Sequence, residues 1–373
     1  MKQKPKSANA VAARSRDKDI TSWGNAASVP KKASERRAPQ PLDMHLYTTA
    51  FLLSAAAWPW AQQPEQKEKI EHILSGLSAE MKRGMQSYMD APQTAQRVQQ
   101  EEIWRAGSST LLRYPAPKSD DKIPVLLVPS LINRVDILDL DAGHSFTQFL
   151  VDAGYDVYTL DWGVPGVDER QFRIDDYISQ RLAQALKILQ QTTREPAHVI
   201  GYCMGGTIAA GAISILKNQT QWVRSLTMLA APWDFHAGDD MATLRMKAYL
   251  TSAEAVLLAK NVLPVDWIQM LFASIDPLFA FNKYRSYAAM DKESDAARRF
   301  VIVEDWLNDG VDLAAPSARQ ALQEWYIDNQ PINGVWSIGA DLVDTANISV
   351  PVLVVAASGD KLVPEISARA FMQ

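Results

Sequence analysis

The sequence predicts an α/β fold: a parallel sheet with helices on both faces, a helical cap insertion and an N-terminal helical region. Three observations carry this reading. Over residues 116–233, short apolar runs bounded by Pro or Gly alternate with helix-length stretches, the pattern of buried parallel strands joined by helical crossovers. About 120 residues then separate the fourth strand from the fifth, far beyond the roughly two to six of an ordinary connection. Lastly, Cys203 stands in a glycine-rich turn between a strand and a helix.

Length and composition narrow the class. The 373 residues allow two average domains or one α/β domain with insertions. Apolar content of 47% and charged content of 22% exclude wholesale disorder and fibrous repeats. The net charge of −5 is unevenly spread: residues 1–40 hold ten Lys or Arg against Asp17, Asp19 and Glu35, so the remainder is acidic. An acidic body argues against nucleic-acid binding. Cys203 is the only cysteine, which precludes an intramolecular disulfide and agrees with a reducing, cytoplasmic setting.

In chain order, residues 1–40 read as a disordered basic tail without the apolar core of a secretory signal. Residues 41–115 read as a helical region. Within it, 46–60 is apolar but short for a bilayer span and interrupted by Pro59, so it reads as a packed or interfacial helix. Ile70, Ile73, Leu74, Leu77 and Met81 then recur at helical spacing, making a helical preface to the main domain. The first part of the core, 116–233, gives strands at 125–128, 155–160, 198–200 and 223–229. Helices at 144–153, 173–192 and 207–217 connect them, the second with Ile178, Leu182, Leu186 and Leu189 on one stripe. The insertion, 234–345, is helix-like and aromatic, with Trp267, Phe272, Trp306, Trp325, Tyr326 and Trp336. Following a strand of a parallel sheet, it either covers the carboxyl edge, where ligands bind in such folds, or forms a packing layer without a gating role. Residues 346–373 return to the core with a fifth strand at 352–356.

Gly201-Tyr202-Cys203-Met204-Gly205-Gly206 has the form G-x-nucleophile-x-G with a strand before it and a helix after it. Such an elbow needs small residues because its backbone is strained and the flanking elements approach closely. It lifts the Cys203 side chain above the sheet and offers the backbone N–H of Met204 to a tetrahedral oxyanion. This is the arrangement of an α/β-hydrolase-like fold, in which the triad acid follows a later strand. Asp360, in the loop after 352–356, occupies that place, against a reading as a turn or helix-cap aspartate. The loop 129–133 after the first strand should supply the second oxyanion donor, and the N–H of Leu131 is the choice. A thiolate nucleophile exchanges one thioester for another at little cost, which favours acyl transfer over hydrolysis. The triad histidine belongs roughly 25 residues past Asp360. All five histidines (His45, His72, His144, His198 and His236) precede Asp360, so the third triad member is absent from these residues. The expectation is a C-terminally incomplete chain with impaired catalysis. His236, near the mouth of the fourth strand, is the nearest substitute, ahead of His144 and His198. No Cys or His pair has metal-ligand spacing, so no metal is expected.

From about Glu102 to Gln373 the chain resembles the polyhydroxyalkanoate synthases, also called poly(3-hydroxyalkanoate) polymerases. The resemblance lies in Arg113-Tyr114, in Pro129-Ser130-Leu131-Ile132-Asn133-Arg134 with Ile137-Leu138-Asp139-Leu140, in Asp161-Trp162-Gly163-Val164-Pro165 and in Asp175-Asp176-Tyr177-Ile178. It continues in the cysteine turn, in Trp306-Leu307-Asn308-Asp309-Gly310 with Pro316, and in Asn333-Gly334, Asp341-Leu342 and Asp360. Ser130, Arg134 and the missing histidine depart from the family pattern. The Asp-Trp-Gly-x-Pro form is similar to the shorter two-subunit synthases, while the cysteine turn fits the long single-subunit ones as well. The resemblance implies transfer of 3-hydroxyacyl groups from coenzyme A thioesters to a growing polyester through acyl-Cys203, with no cofactor beyond the substrate. Asp360 would orient the histidine or help activate the next 3-hydroxyl. Implied partners are 3-hydroxyacyl-CoA, the polyester chain, a second copy or second synthase subunit, and the surface of a polymer granule. A thioesterase or esterase on the same fold, and a non-catalytic granule-associated relative, are the competing readings.

Overall fold

A computed structural model describes residues 36–37, 42–61, 64–92, 95, 97–115, 123–238 and 241–373. Apart from Arg36 and Arg37, the expected basic tail therefore lies outside the described residues. Seven strands form the main sheet: β1 (Glu101–Ala106), β2 (Ser109–Arg113), β3 (Pro124–Val128), β4 (Asp156–Asp161), β5 (Ala197–Tyr202), β6 (Val223–Leu229) and β7 (Val352–Val355). Their spatial order is β1-β2-β4-β3-β5-β6-β7. Pairing is parallel from β4 through β7, with Leu126 of β3 opposite both Tyr158 and Val199. β1 and β2 run antiparallel, Leu111 facing Leu160. The sheet is thus mixed where alternation alone implied a purely parallel one, and a hairpin ends the region read as helical through residue 115. The hairpin is an edge feature: β1 is largely exposed and rich in Glu and Arg, so it lacks the apolar run that marks a central strand.

Two long helices precede the hairpin, α1 (Leu42–Ala61) and α2 (Pro64–Met89). α1 continues through Pro59 instead of breaking there. Among the described residues, no helix is long and apolar enough to cross a membrane. α3 (Phe146–Asp152), capped by Ser145, lays Leu150 and Val151 on one face of the sheet against Val125, Leu127 and Val157. A helical run from Ile174 through a π-helical turn at Ile178–Leu182 leads into α4 (Ala183–Thr193). With α5 (Met204–Ile215), this run covers the other face, burying Ile178, Leu182, Leu186, Ile208 and Ile213. α5 begins three residues before the expected start, directly after Cys203.

The chain between β6 and β7 forms a mainly helical layer: α6 (Ala242–Lys260), α7 (Val265–Ile275), α8 (Phe279–Ala288), α9 (Asp295–Asn308) and α10 (Ala315–Gln320), the last running into a second π-helical turn, Ala321–Ile327. It meets the loops that leave the carboxyl ends of both β3 and β7: Val311 N–H donates to Ile132 O (2.9 Å), and Lys361 pairs with Asp276 (2.7 Å). The insertion therefore does lie over the carboxyl edge. α2 packs on this layer through Met81, Met85 and Tyr88 against Phe281, Tyr284, Tyr287 and Val301. The Tyr88 hydroxyl donates to Asp305 (2.9 Å), which also accepts from Arg36 (2.7 and 2.9 Å). The N-terminal helices are thus bolted to the cap.

Candidate active site

Cys203 joins β5 to α5 with φ 53° and ψ −129°. A non-glycine residue held there costs on the order of 1–3 kcal/mol and persists only where its surroundings enforce it. They do so here. The Cys203 N–H donates to Leu229 O on β6 (2.9 Å), Gly206 N–H donates to Cys203 O (2.9 Å), and the buried Thr207 hydroxyl donates to Pro232 O (2.6 Å). A Cβ on Gly205 would strike the carbonyls of Val128 and Pro129, and one on Gly201 would strike Gly206, so the elbow closes only with glycine at these places.

Cys203 is partly buried at the N-terminus of α5. Burial pushes its thiol up to about 11; the Met204 N–H works in the opposite direction, and the negative charge of Asp360 adds to the rise. The Met204 N–H and the Asp360 charge are thus both within electrostatic reach of the thiol. Asp360 itself sits in the loop after β7, where Oδ1 accepts from the N–H groups of Leu362 (2.8 Å) and Val363 (2.9 Å). The aspartate is therefore a turn residue whose charge also reaches the thiol. Tyr326, from the second π-helical turn, is within electrostatic reach of Cys203, and burial holds its phenol protonated. The sequence showed Tyr326 only as one aromatic among many.

Leu131 is buried in the loop after β3, and its N–H has no hydrogen-bond partner among the described residues. The loop around it is pinned at three points. Trp162 Nε1–H donates to Pro129 O (2.9 Å), Trp306 Nε1–H donates to Arg134 O (2.8 Å), and Arg134 pairs with Asp309 (3.0 Å). The Asp161–Pro165 and Trp306–Gly310 stretches are thus the clamps on that loop. Similarly, Tyr114 donates to the buried Asp139 (3.1 Å), and Asp175 accepts from Gln320 (2.7 Å).

Three of the histidines have side-chain partners among the described residues. His236 Nε2 lies 3.0 Å from Tyr326 O and 3.1 Å from Thr243 Oγ1. His144 is held between Asp141 (3.1 Å) and Arg299 (3.2 Å). His198 meets Ser225 (2.6 Å) near the start of β5, roughly 16 Å of extended chain from Cys203. His72 is exposed on α2. Among the described residues no cluster of His, Cys, Asp and Glu could hold a metal ion.

A strand, a strained cysteine turn, a helix and an acid after a later strand define a class. A family model described as alpha/beta hydrolase fold matches residues 123–373, and the chain belongs to that family. It is 31% identical over 279 residues to the poly(3-hydroxyalkanoate) polymerase subunit PhaC of Synechocystis sp., covering 73% of each chain. It is 29% identical over 321 residues to that of Haloarcula marismortui (82% of this chain, 66% of the relative) and 25% over 312 residues to that of Allochromatium vinosum (82% and 86%). Within the hydrolase fold, the chain belongs to the poly(3-hydroxyalkanoate) polymerase family.

Proposed function

We propose that the protein polymerises 3-hydroxyacyl groups delivered as coenzyme A thioesters, with Cys203 as the acyl carrier. The observation that carries this reading is the enforced strain at Cys203, which lifts the single thiol of the chain over the N-terminus of α5 beside Asp360. Deprotonated Cys203 Sγ attacks the thioester carbonyl, and the N–H groups of Met204 and Leu131 receive the developing oxyanion. Collapse breaks the bond to the coenzyme A sulfur, which leaves as thiolate and takes up a proton. The 3-hydroxyl of the next acyl group then attacks the acyl-cysteine, Asp360 assists removal of its proton, and the carbonyl–Sγ bond breaks to form the new ester and free the Cys203 thiolate. A thiol held near 11 needs a proton acceptor at neutral pH, and His236, whose Nε2 bonds Tyr326 O, is the first histidine to test for that role.

Incubation with radiolabelled 3-hydroxyacyl-CoA tests the reading: label should pass through Cys203 into polymer, whereas release of free 3-hydroxy acid alone would make the protein a thioesterase. The loop clamp gives a second expected result. Trp306→Phe keeps a smaller aromatic ring but removes the donor to Arg134 O, and should lower kcat about tenfold or more by loosening the Leu131 N–H, at a stability cost of about 1–2 kcal/mol. Steady-state kinetics alongside thermal melting separates the two effects. The relatives are named subunits, which supports assembly with a second synthase subunit. Exposed Tyr47 and Phe51 on α1, after the basic residues 1–40, support docking on a granule surface, which would place the protein in the cytoplasm.

A further inference from the structure

We propose that the cavity between the cap and the loop after β7 takes the alkyl substituent on C3 of the 3-hydroxyacyl group, and selects longer 3-hydroxyacyl thioesters over the four-carbon one. This rests on the function proposed above and adds the substrate class to it. The cavity measures about 420 Å3 and lies between α7, α8, the end of α9 and residues 359–362. Phe272, Ala273, Ile275, Phe279, Ala280 and Leu307 make its walls predominantly apolar. The volume falls among those that enclose small ligands, roughly 300–1,000 Å3, and leaves room for much more than a methyl group.

The charges at its edge decide which part of a thioester it suits. The Lys283 ammonium is 2.8 Å from Glu304 and lies over the Phe279 and Tyr284 rings, at 5.1 and 5.3 Å from their centroids. Lys361 is 2.7 Å from Asp276. Each cation is matched by a carboxylate, and Asp360 adds a further negative charge to the lining. The phosphates of coenzyme A would meet no net positive field there. A hydrocarbon chain gains what apolar walls provide, removal of its surface from water.

Asp360 fixes where that chain begins. It lines the cavity, and its Oδ1 is held by the N–H groups of Leu362 and Val363, so the carboxylate does not swing away. In the proposed reaction it addresses the hydroxyl on C3. The same carbon bears the alkyl substituent, which therefore starts within two bonds of the oxygen Asp360 serves and extends into the adjoining apolar space.

The test compares kcat/KM for coenzyme A release from 3-hydroxybutyryl-CoA and 3-hydroxyoctanoyl-CoA, together with labelling of Cys203 by each. Every buried methylene should raise kcat/KM about fourfold, so burial of at least two of the four added methylenes should put the eight-carbon substrate ahead by roughly fifteenfold or more. Ala273→Leu, which fills the cavity, should cut that ratio about tenfold; Phe272→Ala, which widens it, should raise the ratio. Because both substrates are assayed on one preparation, the ratio is unaffected by partial loss of folded protein. A four-carbon preference in the parent protein, or a ratio that neither variant moves by more than about twofold, would overturn the assignment. Absence of Cys203 labelling by either substrate would instead overturn the acyl-cysteine reading on which it rests.

Discussion

Cys203→Ala should reduce acyl transfer by about 10⁴-fold or more, with no label retained on the protein, because it removes the nucleophile and no other thiol is present to replace it. The same thiol reports its own electrostatics. With the thiol pushed up to about 11, alkylation by iodoacetamide should be slow at pH 7 and climb about tenfold per pH unit until that value is approached, since only the thiolate reacts. Asp360→Asn removes a negative charge that holds the proton on sulfur. It should therefore speed alkylation near neutral pH while slowing turnover, and opposite signs in one variant are hard to produce by misfolding. His236→Ala should leave labelling unchanged, because Nε2 of that ring is held by Tyr326 O and Thr243. A collapse of labelling in His236→Ala would make His236 the base.

The largest effect on stability is expected at Glu169 and Arg181. Both side chains are buried, 2.8 Å apart, and Arg181 lies over the Phe172 ring at 4.7 Å. Glu169 also accepts the N–H groups of Ser108 (3.0 Å) and Gly166 (3.2 Å), so the pair ties the β1–β2 turn to the helical run before α4. Arg181→Met strands a buried carboxylate, and should cost about 3–5 kcal/mol, measured by urea unfolding. Burial alone would raise the Glu169 carboxyl, but Arg181 and the backbone N–H groups outweigh it and hold it below the usual carboxylate range. A group depressed in the folded state contributes stability above its unfolded pKa and loses it as pH falls through the folded value. The stability gap between the parent and Glu169→Gln should thus be full at pH 7 and narrow below about pH 4. A gap independent of pH would mean that packing, and not the charge, holds the turn.

Where the fold was legible, local chemistry dictated it. Val125–Val128 announces itself because a strand covered on both faces must be apolar at nearly every position, whereas Val223–Leu229 buries Val223 and then the alternate residues Leu226 and Met228, and is read by that alternation; both are strands of the parallel core. The glycines flanking Cys203 are legible because a strained elbow with backbone in contact on two sides tolerates nothing larger. The β1–β2 hairpin escaped the same reading. Its outer strand is half solvated and charged, and its one strong signal, the two-residue Gly107-Ser108 connection between Ala106 and Ser109, is short.

The sequence by itself thus determined the central strands, the cysteine turn and the position of Asp360 after the last strand, since each depends on side chains within a few residues of one another. The tertiary structure alone decided that α2 is fastened to the cap, that Trp306 and Asp309 clamp the loop bearing Leu131, and that His236 turns to the Tyr326 carbonyl. It alone placed the apolar cavity beside Asp360. These contacts join residues from about 90 to more than 200 positions apart. Periodicity and turn chemistry act over a few residues, whereas a hydrogen bond between distant segments exists only after packing has paired the surfaces that carry them.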